Sequence, residues 1–363
     1  MMNPFLYKPI FFAVIGIIAL ITSMRCIASP DYIRQRHDKM LIPLLLSLVL
    51  VFWLGYRPIS GRAFGDTANY AIEYFRLDPM SVVSMDWHVE WIWTLLMVTC
   101  KSAGLTVSDF MTVVAAGYIL SALWAVKRFF PKNPMLGLLF VWGSLMFFSF
   151  GVNGLRNGLA CHVTLLAMSY FFDDKYMVGA LLCLLAFGIH RSVILPIAGM
   201  LAGRYLIKDL KYAIYIWGAS ILISLTVGSI ITDFFAALDF DDRMSTYTSI
   251  YQSEAANTGF RYDFLLYSSF PVFMGWFVCE KLKIKDDWYK TLCITYCLAN
   301  SFWIFVIRSA FSNRFAYLSW FIYPIVIAYP LINLPVWRDQ HRKVAMILLL
   351  YCAFTLFMQL IYW

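Results

Sequence analysis

Long apolar runs separated by short polar marks set the pattern of this chain. The runs lie near 4–24, 40–57, 107–126, 134–150, 157–172, 176–190, 192–207, 211–232, 263–280, 289–307, 315–334 and 343–362. They are continuous, whereas a strand of a membrane barrel would alternate between apolar and polar positions. The pattern therefore predicts an all-α, polytopic integral membrane protein of about 12 transmembrane helices, the length of each set by bilayer thickness. One stretch departs from it. Residues 88–104, "HVEWIWTLLMVTCKSAG", are too briefly apolar to cross. They predict a short interfacial or re-entrant helix with Trp87, Trp91 and Trp93 at the headgroups.

Composition agrees with the pattern. Of 363 residues 61% are hydrophobic and 14% charged, where a soluble domain carries about a quarter charged. No separable soluble domain interrupts the runs, so a single transmembrane domain is expected over 1–363. The first run has one lysine before it, Lys8, and Arg25, Arg34 and Arg36 after it. No small-residue cleavage site ends it, so a retained span is expected rather than a signal peptide.

Charge then sets the topology. Short loops rich in Lys and Arg mark the cytoplasmic side. Here they are "MRCIASPDYIRQRHDK", "KRFFPKN", "DDK" at 173–175, "GRYLIKDLK", "EKLKIKDDWYK" and "VWRDQHRK". With all six inside, both termini fall outside, and the larger outer loops are 57–105 and 233–262. The net charge of +8 is spread over these loops and speaks to topology, not to nucleic acid. The eight cysteines form no C-x-x-C pair and are expected as small core residues, without a disulfide framework or a zinc site.

The outer face nevertheless keeps charges that the inner face should claim. "GVNGLRNGLA" holds Arg156 at the outer end of a span beside Gly151, Gly154 and Gly158. Either it snorkels to lipid phosphates, or it is a cation at a helix N-terminus whose glycines open backbone N–H groups to a phosphate or pyrophosphate. "FGIHRSV" places His190 and Arg191 at the same boundary, and "VIRSAFSNRFAYL" adds Arg308 and Arg314. "DDRMSTYTSIYQSEAANTGFRYD" supplies Arg243, Tyr247, Tyr251 and Arg261, either loop filler or a sugar-stacking surface. "RAFGDTANYAIEYF" supplies Asp66, Tyr70 and Glu73, which share one helix face, and "HVEW" adds Glu90. Arginines gathered on the outer face call for an anion to compensate them. A lipid-linked diphosphate suits the planar guanidinium fork. A transporter would place charge in mid-span, where this chain has almost none.

The segments "FGDTANY", "HVEWIW", "GLRNGLACHVTLLAMSYFFDDK", "LLAFGIHRSVILP" and "SNRFAYLSW" resemble the EpsG/Wzy family of bacterial polysaccharide polymerases. The likeness covers about residues 64–320. Its most specific part is an L-R-x-x-L-A block followed by A-x-x-x-H-x-S. Asn157 stands where the family often has glutamine. The resemblance implies an architecture like that of lipid-dependent glycosyltransferases, in the bacterial cytoplasmic (inner) membrane, acting toward the periplasm without a cofactor or metal. Its substrates would be undecaprenyl-diphosphate-linked oligosaccharides. Membrane lipids surround it, and a chain-length regulator and a flippase of the same pathway are the implied partners. Arg156, Arg191, Arg314 and, more weakly, Arg308 would hold the diphosphate. His190, or else Asp66 or Glu90, would take the acceptor proton. Tyr70, Arg243, Tyr247, Tyr251 and Arg261 would line the glycan. An O-antigen ligase, which uses the same donor, is separated from a polymerase only by this likeness.

Overall fold

Apolar residues here face outward as well as inward. In α1 (Tyr7–Ala28), Phe11, Phe12, Ile15, Ala19 and Cys26 are buried while Val14, Ile17, Leu20, Ile21 and Met24 stay exposed. The same holds for Leu41, Leu45 and Val49 of α2 (Leu41–Gly55). Such rows would make a soluble protein aggregate; against lipid tails they cost nothing. The computed structural model describes residues 2–33, 37, 39–78, 90–237, 259–308 and 312–362, excepting the side chains of 227–237 and 313. Among the described residues every regular element is helical. Four helical stretches among the described residues are long and apolar enough to cross a bilayer: Pro4–Ala28, Val107–Phe129, Arg314–Asn333 and Gln340–Tyr362. Leu41–Gly55, Tyr176–Ile189 and Leu210–Thr226 are shorter apolar helices. The chain is thus a helical, membrane-embedded protein.

It divides into two compact units, Met1–His190 with Leu331–Trp363, and Arg191–Pro330. The first contains α1 and α2, the one-turn α3 (Gly61–Phe64), α4 (Thr67–Arg76), α5 (Trp91–Ser102), α6 (Val107–Phe129), α7 (Pro134–Trp142), α8 (Phe147–Val152), α9 (Leu155–Phe172) and α10 (Tyr176–Ile189). Helix α6 is central and packs on α2, α7 and α9. It starts at a reciprocal cap: Thr106 Oγ1 accepts from the Asp109 N–H, and Asp109 accepts from the Thr106 N–H, which satisfies two otherwise orphaned donors. The hairpin between α9 and α10 turns through Asp174 at φ 56°. Arg128 braces it by pairing with Asp173 at 2.5 Å and lying 3.7 Å from the Tyr170 ring centre.

The second unit holds α11 (Ile194–Leu201), α12 (Leu210–Ala237), α13 (Tyr262–Gly275), α14 (Asp287–Phe305), α15 (Asn313–Trp320) and most of α16 (Tyr323–Asn333). The chain returns to the first unit in α17 (Gln340–Phe357), which packs on α1. A polar network ties four helices of the second unit together. Fully buried Asn300 accepts from Trp217 Nε1 at 2.8 Å and donates to Ser268 and Ser319 at 3.2 and 3.0 Å. Trp320 Nε1 also donates to Ser268, at 2.7 Å. Inside an apolar bundle an unpaired amide is expensive, so a closed network fixes helix register.

Several runs expected as single spans are broken. Run 134–150 becomes α7 and α8, parted after Gly143, where a Cβ would lie 2.9 Å from Cys352 Sγ. Run 315–334 turns at Phe321–Ile322, where Pro324 brings no N–H to a continuing ladder but suits the start of α16. Helix α5, expected as an interfacial helix over 88–104, has 12 residues, about 18 Å of rise and short of a crossing. The eight cysteines are buried or half-buried, as small core residues should be. Trp93, expected among the headgroups, is instead 1% exposed, for a reason the site supplies.

Candidate functional site

Four charged or titratable side chains of the first unit meet. Glu73 comes from α4, Glu90 from the residue before α5, Arg156 from the first turn of α9, and His190 from the residue after α10. Glu90 is the hub. Its Oε2 accepts from Arg156 Nη1 at 2.8 Å, and its Oε1 is hydrogen-bonded to His190 Nδ1. Burial works to raise the Glu90 carboxyl. The hydrogen bond and charge of His190, then the charge and hydrogen bond of Arg156, outweigh it and hold the carboxyl below its ordinary 4.5. An ionised carboxylate has no proton to give, so Nδ1 carries the hydrogen. Nε2 is then the accepting nitrogen of the neutral ring.

Arg156 has a second carboxylate. Glu73 Oε2 lies 3.8 Å from its Nη2. The guanidinium carbon also sits 5.4 Å from the Tyr70 ring centre and 5.8 Å from that of Trp93, the two rings meeting edge to face at 5.5 Å. A cation held over aromatic faces and between carboxylates is well satisfied. This explains why Trp93 is buried: it forms part of the seat of the guanidinium. Exposure falls inward, from 40% for the Glu73 side chain to 19% for Arg156, 18% for His190 and 14% for Glu90.

The backbone around it is tightly set. A Cβ on Gly188 would lie 2.4 Å from Ile92 Cγ1 and 3.0 Å from Trp91 Cε2, so only glycine lets the end of α10 approach the start of α5. That approach brings His190 to Glu90. Gly188→Ala is expected to lower the unfolding midpoint by the equivalent of about 1–3 kcal/mol, the cost of overpacking; an unchanged thermal melt would contradict the close contact. Lys101 of α5 donates to the carbonyls of Tyr74 and Phe75 at 3.0 and 2.7 Å, capping the end of α4 as a cation should. The Asp66 N–H donates to Asn153 Oδ1 at 2.7 Å. Arg57, 3% exposed, donates to the Val152 carbonyl at 3.0 Å and the Thr67 hydroxyl at 2.8 Å. These bonds tie the start of α4 to the turn that leads into Arg156.

The structure therefore brings together Glu90, Arg156, His190, Tyr70 and Glu73 of the residues singled out above. Three expectations change. The glycines around Arg156 are packed, not open to a ligand: a Cβ at Gly151, Gly154 or Gly158 would meet Leu54, Phe150 or the Phe150 carbonyl at 2.9, 2.8 and 2.5 Å. Tyr70, expected on the glycan surface, is 5% exposed and serves the guanidinium. The anion compensating Arg156 is provided within the chain. Asp66 precedes α4 and accepts from Asn69 Nδ2 at 3.3 Å. In the second unit, Arg261 gives its fork to Asp263 at 2.9 and 2.6 Å and lies over Phe264. Arg308 lies 5.7 Å from the Phe260 ring centre. Arg191 opens the turn Arg191–Val193, and Arg314 lies in α15. Arg243, Tyr247 and Tyr251 fall outside the described residues.

Arg57, Asn153, Gly188 and Lys101 were not among the site candidates. Arg57 had one visible signal, an arginine directly after the apolar run of α2. The others act through backbone contacts that no spacing rule reveals.

The model of the EpsG family matches residues 40–363, and the chain belongs to that family. Membership supports a glycosyltransferase-type polysaccharide polymerase in general terms. No curated protein and no solved structure matches the chain.

Proposed function

We propose that this EpsG-family member lengthens surface polysaccharide at the outer leaflet of the bacterial cytoplasmic membrane. It moves a growing glycan from undecaprenyl diphosphate to a hydroxyl of an incoming lipid-linked repeat unit. The carrying observation is the Glu90–His190 pair on a membrane-embedded helical scaffold of this family. His190 Nε2 takes the proton of the acceptor hydroxyl as its oxygen bonds to the anomeric carbon. The bond from that carbon to the diphosphate oxygen breaks, and undecaprenyl diphosphate leaves with the electron pair. Glu90 orients the ring and stabilises the imidazolium that forms, the part a carboxylate plays in hydrolytic triads. Two carboxylates, Glu73 and Glu90, face the one guanidinium of Arg156, so the cluster favours base chemistry more than it favours binding an anion. A diphosphate role for Arg191, Arg308 and Arg314 stays what the family resemblance implies, its chemistry being that of cations meeting developing charge. Arg156 keeps Glu90 ionised and aligned.

In purified protein reconstituted into liposomes, lipid-linked repeat unit is expected to become a ladder of longer glycans with release of undecaprenyl diphosphate. A product that never exceeds one unit would overturn the reading. Arg156→Lys is expected to be nearly as damaging to that ladder as Arg156→Ala. A point charge cannot give one N–H to Glu90 and turn another toward Glu73 while lying over Tyr70 and Trp93, and breaking a buried pair costs about 3–5 kcal/mol. A normal ladder from the lysine variant would reduce Arg156 to a lipid-facing anchor.

We further propose the twelve-crossing topology with both termini outside, and a chain-length regulator and flippase as pathway partners. An impermeant thiol reagent applied to whole cells is expected to label cysteines introduced at Gly61 and Asn69, and not those at Asp174 and Lys285. Labelling at 174 would put Arg156 and His190 on the wrong side for the substrate.

A further inference from the structure

The polymerase reading leaves one feature of the cluster unused. Glu73 is its most exposed member, at 40%, and its Oε2 stands 3.8 Å from Arg156 Nη2. Charged N–H to O bonds run about 2.7–2.9 Å, so the two are paired by charge without closing a hydrogen bond. Glu90, by contrast, closes its bond to the same guanidinium at 2.8 Å. The Glu73 side of Arg156 is the side that faces out.

A gap of this size between a carboxylate and a guanidinium has a definite chemical preference. A hydroxyl oxygen set at hydrogen-bond distance from both ends donates to Glu73 and accepts from Arg156 at the same time. A phosphate oxygen can only accept, and it meets repulsion from both Glu73 and Glu90. Water fits the gap too, but it carries no neighbouring groups to fix its position. A sugar offers vicinal hydroxyls, so one held in this gap fixes the placement of the next.

Resting on the polymerase reading, we propose that Glu73 and Arg156 form the subsite that grips a hydroxyl of the acceptor sugar, vicinal to the one that loses its proton to His190. Glu73 is then a substrate-binding residue for the acceptor, and the cluster divides its labour: Glu73 and Arg156 place the sugar, while Glu90 and His190 deprotonate it. The position of α4 supports this. Its end is capped by Lys101 and its start is tied through Asp66 to Asn153, so Glu73 is presented from a fixed helix.

The test uses liposomes with the unsubstituted protein, Glu73→Gln and Glu73→Asp. The donor is the lipid-linked repeat unit accumulated by a deletion strain, held at saturation. The acceptor is the same glycan freed from its lipid by mild acid and fluorescently tagged, and its extension is followed. Glu73→Gln is expected to raise the half-saturating acceptor concentration roughly ten- to hundredfold, the effect of losing a hydrogen bond to a charged group. Inhibition by undecaprenyl diphosphate stays as in the parent, which also shows that the variant is folded. Glu73→Asp is expected to recover part of the loss. An unchanged acceptor dependence in a protein that still transfers would overturn the subsite alone. Tighter inhibition by undecaprenyl diphosphate would overturn it by making Glu73 a competitor of the donor anion. No transfer by the unsubstituted protein would overturn the polymerase reading, and the subsite with it.

Discussion

His190→Gln is expected to lose on the order of a hundredfold or more in transfer rate, the range for removing a general base, with normal expression and normal binding of the lipid-linked donor. Glutamine matches the size of the ring and keeps a group able to hydrogen-bond Glu90, but it cannot accept a proton. The base role rests on the Nδ1 contact to Glu90, which leaves Nε2 as the acceptor. Turnover and donor binding should be measured on the same purified variant. Near-normal turnover would move the base to Glu90 or Asp66. Loss of binding along with turnover would make His190 a residue that places substrate.

Glu90→Gln is expected to be of comparable severity for a different reason. An amide can present its N–H to Nδ1 and so stabilise the tautomer with its proton on Nε2, the wrong end for a base. In a hydrolytic triad the corresponding change costs about 10⁴ in rate. The substitution also has a stability signature. Glu90 is held below its ordinary 4.5 in the folded protein. A depressed carboxyl stabilises the fold above its unfolded value, and that stabilisation is lost as pH falls through the folded value. The melting difference between the parent and Glu90→Gln is therefore expected to be full at neutral pH and to shrink once pH drops below 4.5. A difference that stays constant down to strongly acid pH would mean that Glu90 is not ionised in the cluster. Full activity in Glu90→Gln would separate Glu90 from the chemistry.

The members of this cluster were legible in the sequence one at a time, and their partnership was not. Arg156 stands out because positive charge on the outer face runs against the topology rule, and His190 because it interrupts an apolar run beside a second arginine. Glu90 and Glu73 stood out as acids on the outer side. Yet Glu90 is 66 residues from Arg156 and 100 from His190, and no periodicity reports a contact over that separation. From sequence alone Arg156 therefore calls for an external anion, whereas its partners lie in the chain. The glycines around it pointed to an open backbone for the same reason: a glycine marks close approach, and the sequence does not say whether a ligand or Phe150 approaches. The helical, lipid-facing character of the chain was plain, because continuous apolar runs with exposed Val14, Ile17 and Leu20 have one stable setting. The breaks were harder to see. Gly143 and Pro324 act locally, and an apolar run looks the same whether one helix or two occupies it.

Polysaccharide profiling by gel in a strain lacking the gene tests the central claim most directly. The expected result is surface polysaccharide reduced to a single repeat unit, with the ladder restored by the parent protein and not by His190→Gln. A full ladder that persists on its lipid carrier without reaching its final acceptor would contradict the account and make the protein a ligase.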